Sequence, residues 1–174
     1  MEQQFALSFV ARDRPGLIQG IANQVTVHGG NWLESRMSQL AGMFAGIVLV
    51  EVETDQAEAL RAAIAKLEGI SSVVEDVVHA EPALRTRQVA LNIVGPDRAG
   101  IVHEVTFELV QHVANIREMD TNIAAAPMTG EITFSADAIL EVPDTLDLDK
   151  LSDKLDAIAD RLGVDILLEE DADD

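Results

Sequence analysis

The sequence predicts an α+β protein in which a single β-α-β-β-α-β unit is used twice in tandem. Three observations predict it. Asp13-Arg14-Pro15-Gly16 returns 84 residues later as Asp97-Arg98-Ala99-Gly100. Each copy follows a short alternating apolar run, Phe5, Leu7 and Phe9 before the first and Val89, Leu91 and Ile93 before the second. Each then opens a helical stripe, Leu17, Ile21 and Val25 in one case and Ile101, Val105 and Leu109 in the other. The register persists through Gly30-Asn31-Trp32 against Ala114-Asn115-Ile116, and Glu34 against Glu118. A period of this length marks two copies of one structural unit.

In the first copy, 5–11 alternates as a strand and 15–28 reads as an amphipathic helix closed by Gly29-Gly30. The spans 31–39 and 43–53 are strands joined at Leu40-Ala41-Gly42. A helix over 55–68 carries Ala57, Leu60, Ile64 and Leu67 on one face and ends at Gly69, and 73–79 is the last strand. The second copy repeats this with strands at 87–94, 115–123, 133–142 and 164–168 and helices at 99–113 and 148–162. The last helix is the most regular, with Leu148, Leu151, Leu155, Ile158 and Leu162 on one stripe and Gly163 after it. Phe44 matches Phe134 and Val52 matches Val142 only after a shift of 90. Six residues are therefore inserted in the second copy, assigned to the hairpin 124–130. The order is the split βαβ arrangement of ferredoxin-like folds, an antiparallel sheet with helices on one face. The expected organisation is a first domain at 1–80, a short linker at 81–86, a second domain at 87–170 and an acidic tail at 171–174.

Composition excludes several classes. The absence of cysteine removes disulfides, zinc thiolate sites and thiol nucleophiles. The start lacks a basic signal region and no apolar run approaches a membrane span, which points to a cytoplasmic protein. Twelve basic against thirty-one acidic residues give a net charge of −19, which repels phosphate backbones and argues against direct nucleic-acid binding.

The repeated turn carries the candidate chemistry. A helix N-terminus offers unpaired N–H groups and a partial positive charge that together attract a carboxylate or phosphate. Pro15 presets a helical φ in the first turn, and Gly16 and Gly100 let a ligand approach the backbone. Asp13 and Asp97 can accept from a turn amide or from a ligand ammonium. A purely structural strand-to-helix turn uses the same residues, so both readings stand at this point.

The element order with Asp-Arg-Pro-Gly after the first strand resembles the ACT domain, a module that senses small molecules, usually amino acids. The stretch from Gly30-Asn31-Trp32-Leu33-Glu34-Ser35-Arg36-Met37 to Leu40-Ala41-Gly42-Met43-Phe44-Ala45-Gly46 is similar to tandem-ACT proteins of the glycine cleavage system transcriptional repressor type. The resemblance covers roughly 5–168 and implies regulation rather than catalysis, with no cofactor and no metal. Asp13, Arg14, Pro15, Gly16 and Asn31 would line one amino-acid site, and Asp97, Arg98, Gly100 and Asn115 the other. Turn amides would hold the ligand carboxylate, and Asn or Asp side chains its ammonium; glycine and serine are the first amino acids to test. Proteins of this type act by contacting a DNA-binding activator rather than DNA, and ACT sheets commonly pair, which implies a homodimer. A stand-alone regulatory subunit of a metabolic enzyme is the alternative. Ala99 in place of proline and the longer second hairpin depart from the pattern and put the equivalence of the two sites in doubt.

Other residues read as structural. His28, His79, His103 and His112 show no metal-ligand spacing, and His103 and His112 fall on opposite helix faces. Ser8, Ser35 and Ser38 lack a nucleophile setting. Ser35 and Arg36 suit packing or a surface ion pair. Trp32 suits a core or interface anchor, and the acidic tail a solvated terminus.

Overall fold

The computed structural model describes residues 1–77, 85–126 and 130–170. Its elements are β1 (Glu2–Arg12), α1 (Leu17–Val27), β2 (Asn31–Leu40), β3 (Met43–Glu53), α2 (Thr54–Ala65) and β4 (Ile70–Asp76), then β5 (Thr86–Pro96), α3 (Ile101–Gln111), β6 (Asn115–Ala125), β7 (Ile132–Pro143), α4 (Leu148–Leu162) and β8 (Asp165–Glu170). The chain divides into two compact units, Met1–Ala80 and Glu81–Asp174. Each holds a four-stranded antiparallel sheet, in the orders β2-β3-β1-β4 and β6-β7-β5-β8. The tandem α+β fold expected from the sequence is the one observed.

Period-two burial makes each core. On β1, Phe5, Leu7, Phe9 and Ala11 turn inward beside Val48, Val50 and Val52 of β3, and the helix stripes Leu17–Ile21–Val25 and Ala57–Leu60–Ile64 cover that face. Unit 2 repeats the layer with Val89, Leu91 and Ile93 under Ile101, Val105 and Leu109 of α3 and Leu151, Leu155, Ile158 and Leu162 of α4. Trp32 packs against the core of unit 1, and Arg36 forms an exposed ion pair with Glu34 at 3.0 Å. The repeat extends to a bulge, since pairing slips between Trp32 and Glu34 and between Ile116 and Glu118.

The β2–β3 hairpin closes on Ala41-Gly42, at φ 51° and 78°. Two consecutive positive-φ residues make the tight turn that matches strand twist. In unit 2, Ala124 pairs with Thr133 as Leu40 pairs with Met43 in unit 1. The six inserted residues therefore lie between those rungs, and they lengthen the ladder to Ala125 opposite Ile132. Pro127, Met128 and Thr129, part of the assigned insertion, lie outside the described residues, as do most of the 81–86 linker, His79 and the tail 171–174.

Three boundary differences bear on the site. Helix α2 stops at Ala65, and Lys66 and Leu67 tighten into i→i+3 bonds with Ala63 and Ile64. Gly69, at φ 75°, then turns the chain into β4 rather than directly capping the helix. Strand β4 begins at Ile70, three residues early, because Ile70 to Asp76 pair with Ala11 to Phe5. The third difference is at Pro15, which precedes α1 instead of opening it. Among the described residues, no helix is long and apolar enough to cross a membrane.

Candidate functional site

Strand β1 ends at Arg12, and the Asp13 N–H donates to the Gly42 carbonyl at 3.0 Å, tying the turn to the β2–β3 hairpin. The Leu17 N–H then donates to the Arg14 carbonyl at 3.4 Å, with Pro15 and Gly16 between them. Gly16 sits at φ 84°, ψ 0°. Proline second and a left-handed glycine third are the requirements of a type II turn. The motif is thus a turn that delivers the chain to the helix, which is why Pro15 lies outside α1.

The turn leaves the helix end open. The N-cap residues of α1 and α3 are Gly16 and Gly100, which have no side chain to cap the helix, and among the described residues neither the Asp13 nor the Asp97 carboxylate accepts from a turn amide. The first amides of a helix have no partner four residues back. Among the described residues, those of Ile18 and Gln19 find no backbone acceptor. Asp13, Arg14, Gly16, Ile18 and Phe44 help to line a cleft of about 250 Å³ over these amides.

Arg14 has a structural contact of its own. Its Nη2 donates to the Glu68 carbonyl at 2.9 Å, bridging the turn to the segment that follows α2. Arg98 lies equivalently, with Nη2 3.7 Å from where a Cβ on Gly163 would stand.

The second turn differs at its mouth. Asp97 N–H donates to the Ile132 carbonyl at 3.1 Å and Gly100 sits at φ 101°, but Ala99 replaces proline and no Ile101-to-Arg98 bond closes the turn among the described residues. Glu104 takes the position that Gly20 holds in unit 1. Its Oε1 lies 4.0 Å from the site of a Cβ on Gly100, and its other oxygen pairs with Arg161 of α4. The second helix N-terminus thus faces a carboxylate of its own chain. Position 104 carried that signal in the sequence, visible only when the copies are aligned on a period of 84.

Asn31 and Asn115 lie elsewhere. Asn31 pairs with Glu51, which pairs with Gln4 at the start of β1, whereas the turn follows the rung Arg12–Met43. Eight rungs at about 3.3 Å put Asn31 roughly 25 Å from the turn of its own unit. Asn115, opposite Glu141 and thus level with Gln88, is equally remote from Asp97. Each asparagine can meet a turn ligand only from outside its own unit. Among the described residues no group of acidic and histidine side chains is arranged to hold a metal. His112 Nε2 instead meets Glu108 Oε1 at 3.2 Å, and His28 Nδ1 meets the Gln24 carbonyl at 2.8 Å.

Residues 3–69 match the ACT domain family. The whole chain is similar to the solved structure of an unknown protein from Galdieria sulphuraria, with 32% identity, 99% of this chain and 100% of that one covered, and a TM-score of 0.85. It shares its fold with a structure titled "putative glycine cleavage system transcriptional repressor", at 17% identity over 97% of each chain and a TM-score of 0.65. No curated protein matches it in sequence. With one family match over the first unit, the same topology in the second and a full-length relative of the same architecture, this chain belongs to the ACT-domain family, as two ACT units in tandem.

Proposed function

We propose that the chain is an amino-acid-responsive regulator whose sensing turn is Asp13-Arg14-Pro15-Gly16, and that it represses transcription by contacting a DNA-binding activator. The observation that carries this reading is the contrast between the two turns. Both turns leave amides without a backbone acceptor among the described residues, but the first lies beside Gly16 and Gly20, whereas the Glu104 carboxylate stands 4.0 Å from the position of a Cβ on Gly100 in the second. A ligand carboxylate would sit on the Ile18 and Gln19 amides, favoured by the helix dipole, and Asp13 would take the ammonium. Asp97, Arg98 and Gly100 then keep a structural role. Asn31 and Asn115 would contribute only where a second ACT unit supplies them, which is consistent with a homodimer. The charge of −19 favours a protein surface over DNA as the downstream contact, in the cytoplasm, with no catalytic step.

A thermal-shift screen of the full chain against the twenty amino acids tests the sensing step. A ligand at 100 times its Kd adds about 2.7 kcal/mol to the native state, a shift of several degrees. A shift with one or two amino acids supports the reading, and none with any of the twenty overturns it. Affinity capture from cells with that amino acid present tests the second step. Recovery of a transcription activator supports repression; recovery of a metabolic enzyme assigns the chain instead as that enzyme's regulatory subunit.

A further inference from the structure

The face of the unit 1 sheet turned away from the helices ends in a second, larger cleft. Val10 and Arg12 face outward on β1, alternating with the buried Phe9 and Ala11, with Val10 opposite Ser71 and Arg12 opposite Met43. These four residues, with Arg14, Gly69 and the flanking Ala11 and Ile70, line a cleft of about 730 Å³. Val10 and Met43 are each 41% exposed there. No acidic residue lines the cleft, in a chain that carries thirty-one of them. Among the described residues the Arg12 side chain has no hydrogen-bond partner, and that of Arg14 has only the Glu68 carbonyl. A guanidinium carries five N–H donors in a planar fork suited to carboxylate and phosphate oxygens.

Unit 2 serves as an internal comparison. There the positions of Arg12, Met43 and Ser71 are held by Pro96, Thr133 and Asp165, as the strand registers show. One cation is gone and one anion is added at the same place in the same fold. The fold therefore has no need of the basic cleft, and an explanation must be sought in what it contacts.

We propose that this cleft binds a small organic oxyanion, its head held by the Arg12 and Arg14 guanidiniums and the Ser71 hydroxyl, its apolar body lying over Val10 and Met43. The site is distinct from the turn amides, which face the helix side, and the two share only Arg14. A molecule here would compete with the Glu68 carbonyl for Arg14.

The test is an amide-resolved NMR titration of the full chain with benzoate, phenyl phosphate and inorganic phosphate as probes. At least one of the two organic probes shifts the Val10, Arg12 and Ser71 amides and leaves Val94 and Asp165 unmoved; their relative affinities tell carboxylate from phosphate. Arg12→Gln and Ser71→Asp each weaken that binding about tenfold, the scale of one lost charge-assisted hydrogen bond. Both positions are exposed, so both variants fold. Gly20→Glu, directed at the amino-acid cleft, leaves probe binding intact, so this proposal and the sensing turn fail separately. Absence of shifts at these amides, unchanged affinity in Arg12→Gln, or inorganic phosphate binding as tightly as the organic probes overturns it.

Discussion

Arg14 Nη2 donates to the Glu68 carbonyl at 2.9 Å, joining residues 54 apart in the chain. The bond locks the strand-to-helix turn against the exit of the second helix and spends one donor of the motif's arginine on the fold. Arg98 against Gly163 repeats the placement in unit 2, so both turns hold an arginine at this place while the residues at their mouths differ.

Replacing Arg14 with Gln therefore costs stability first. The loss is about 0.5–1.5 kcal/mol, that of one solvent-accessible hydrogen bond, read from urea unfolding followed by Trp32 fluorescence. Arg14→Lys restores little, because a single ammonium does not reproduce the fork.

Gly16→Val separates conformation from crowding. Nothing lies within 4 Å of a Cβ placed there, but the φ of 84° is unfavourable for a branched L residue. The expected cost is about 1–2 kcal/mol, together with loss of amino-acid binding at the turn. Calorimetric titration of the folded variant checks the second part.

Gly46→Ala and Gly95→Ala fail for the opposite reason. A Cβ on Gly46 would stand 2.7 Å from Met37 Cγ and 2.9 Å from the Arg36 carbonyl, and one on Gly95 2.7 Å from the Val164 Cα. Both φ values are ordinary, so the cost is overpacking, about 1–3 kcal/mol or more. Denaturant melts of the two variants measure it in units 1 and 2 respectively.

Asp147 caps α4, accepting from the Lys150 N–H at 3.3 Å and pairing with its Nζ at 2.8 Å. The Lys150 contact holds the Asp147 carboxyl below its ordinary value, and Asp147 raises the Lys150 ammonium. Stabilisation by the carboxylate is present above about pH 4 and is lost as pH falls through the depressed folded value; that of the ammonium is lost above about pH 10. The melting temperature of Asp147→Asn, which keeps a capping oxygen, should lie below wild type between pH 5 and 9 and converge on it in acid. A gap that persists at pH 2 would remove the charge from the account.

The architecture was legible because burial obeys period two on β1, β3, β5 and β7 and helical spacing on all four helices, with no local conflict. Strand β4 begins three residues before its expected start because Ser71 and Ser72 have loop-like composition; their pairing with Val10 and Phe9 is a tertiary preference that local composition does not carry. At the site, Pro15-Gly16 signals a turn but not its type, and α1 begins two residues after the expected start. The asparagines join the turn through the resemblance and through their matched places at the start of the next strand in both copies. Sheet register, which sequence did not supply, puts them at the far end. Glu104 occupies an ordinary helix position, and only its place as the counterpart of Gly20 marks it as facing the second turn.

The central claim, that open amides in the first turn bind an amino-acid carboxylate and a resident carboxylate closes the second, is tested most directly by Gly20→Glu. Nothing lies within 4 Å of a Cβ placed there, and replacing a helical glycine adds up to about 1 kcal/mol of helix stability. A loss of binding is then not a loss of folding. Calorimetric titration with the amino acid found in the thermal-shift screen should show affinity reduced tenfold or more, about 1.4 kcal/mol, with the melting temperature unchanged or higher. Undiminished affinity in this variant would contradict the account and move the sensor away from the first turn.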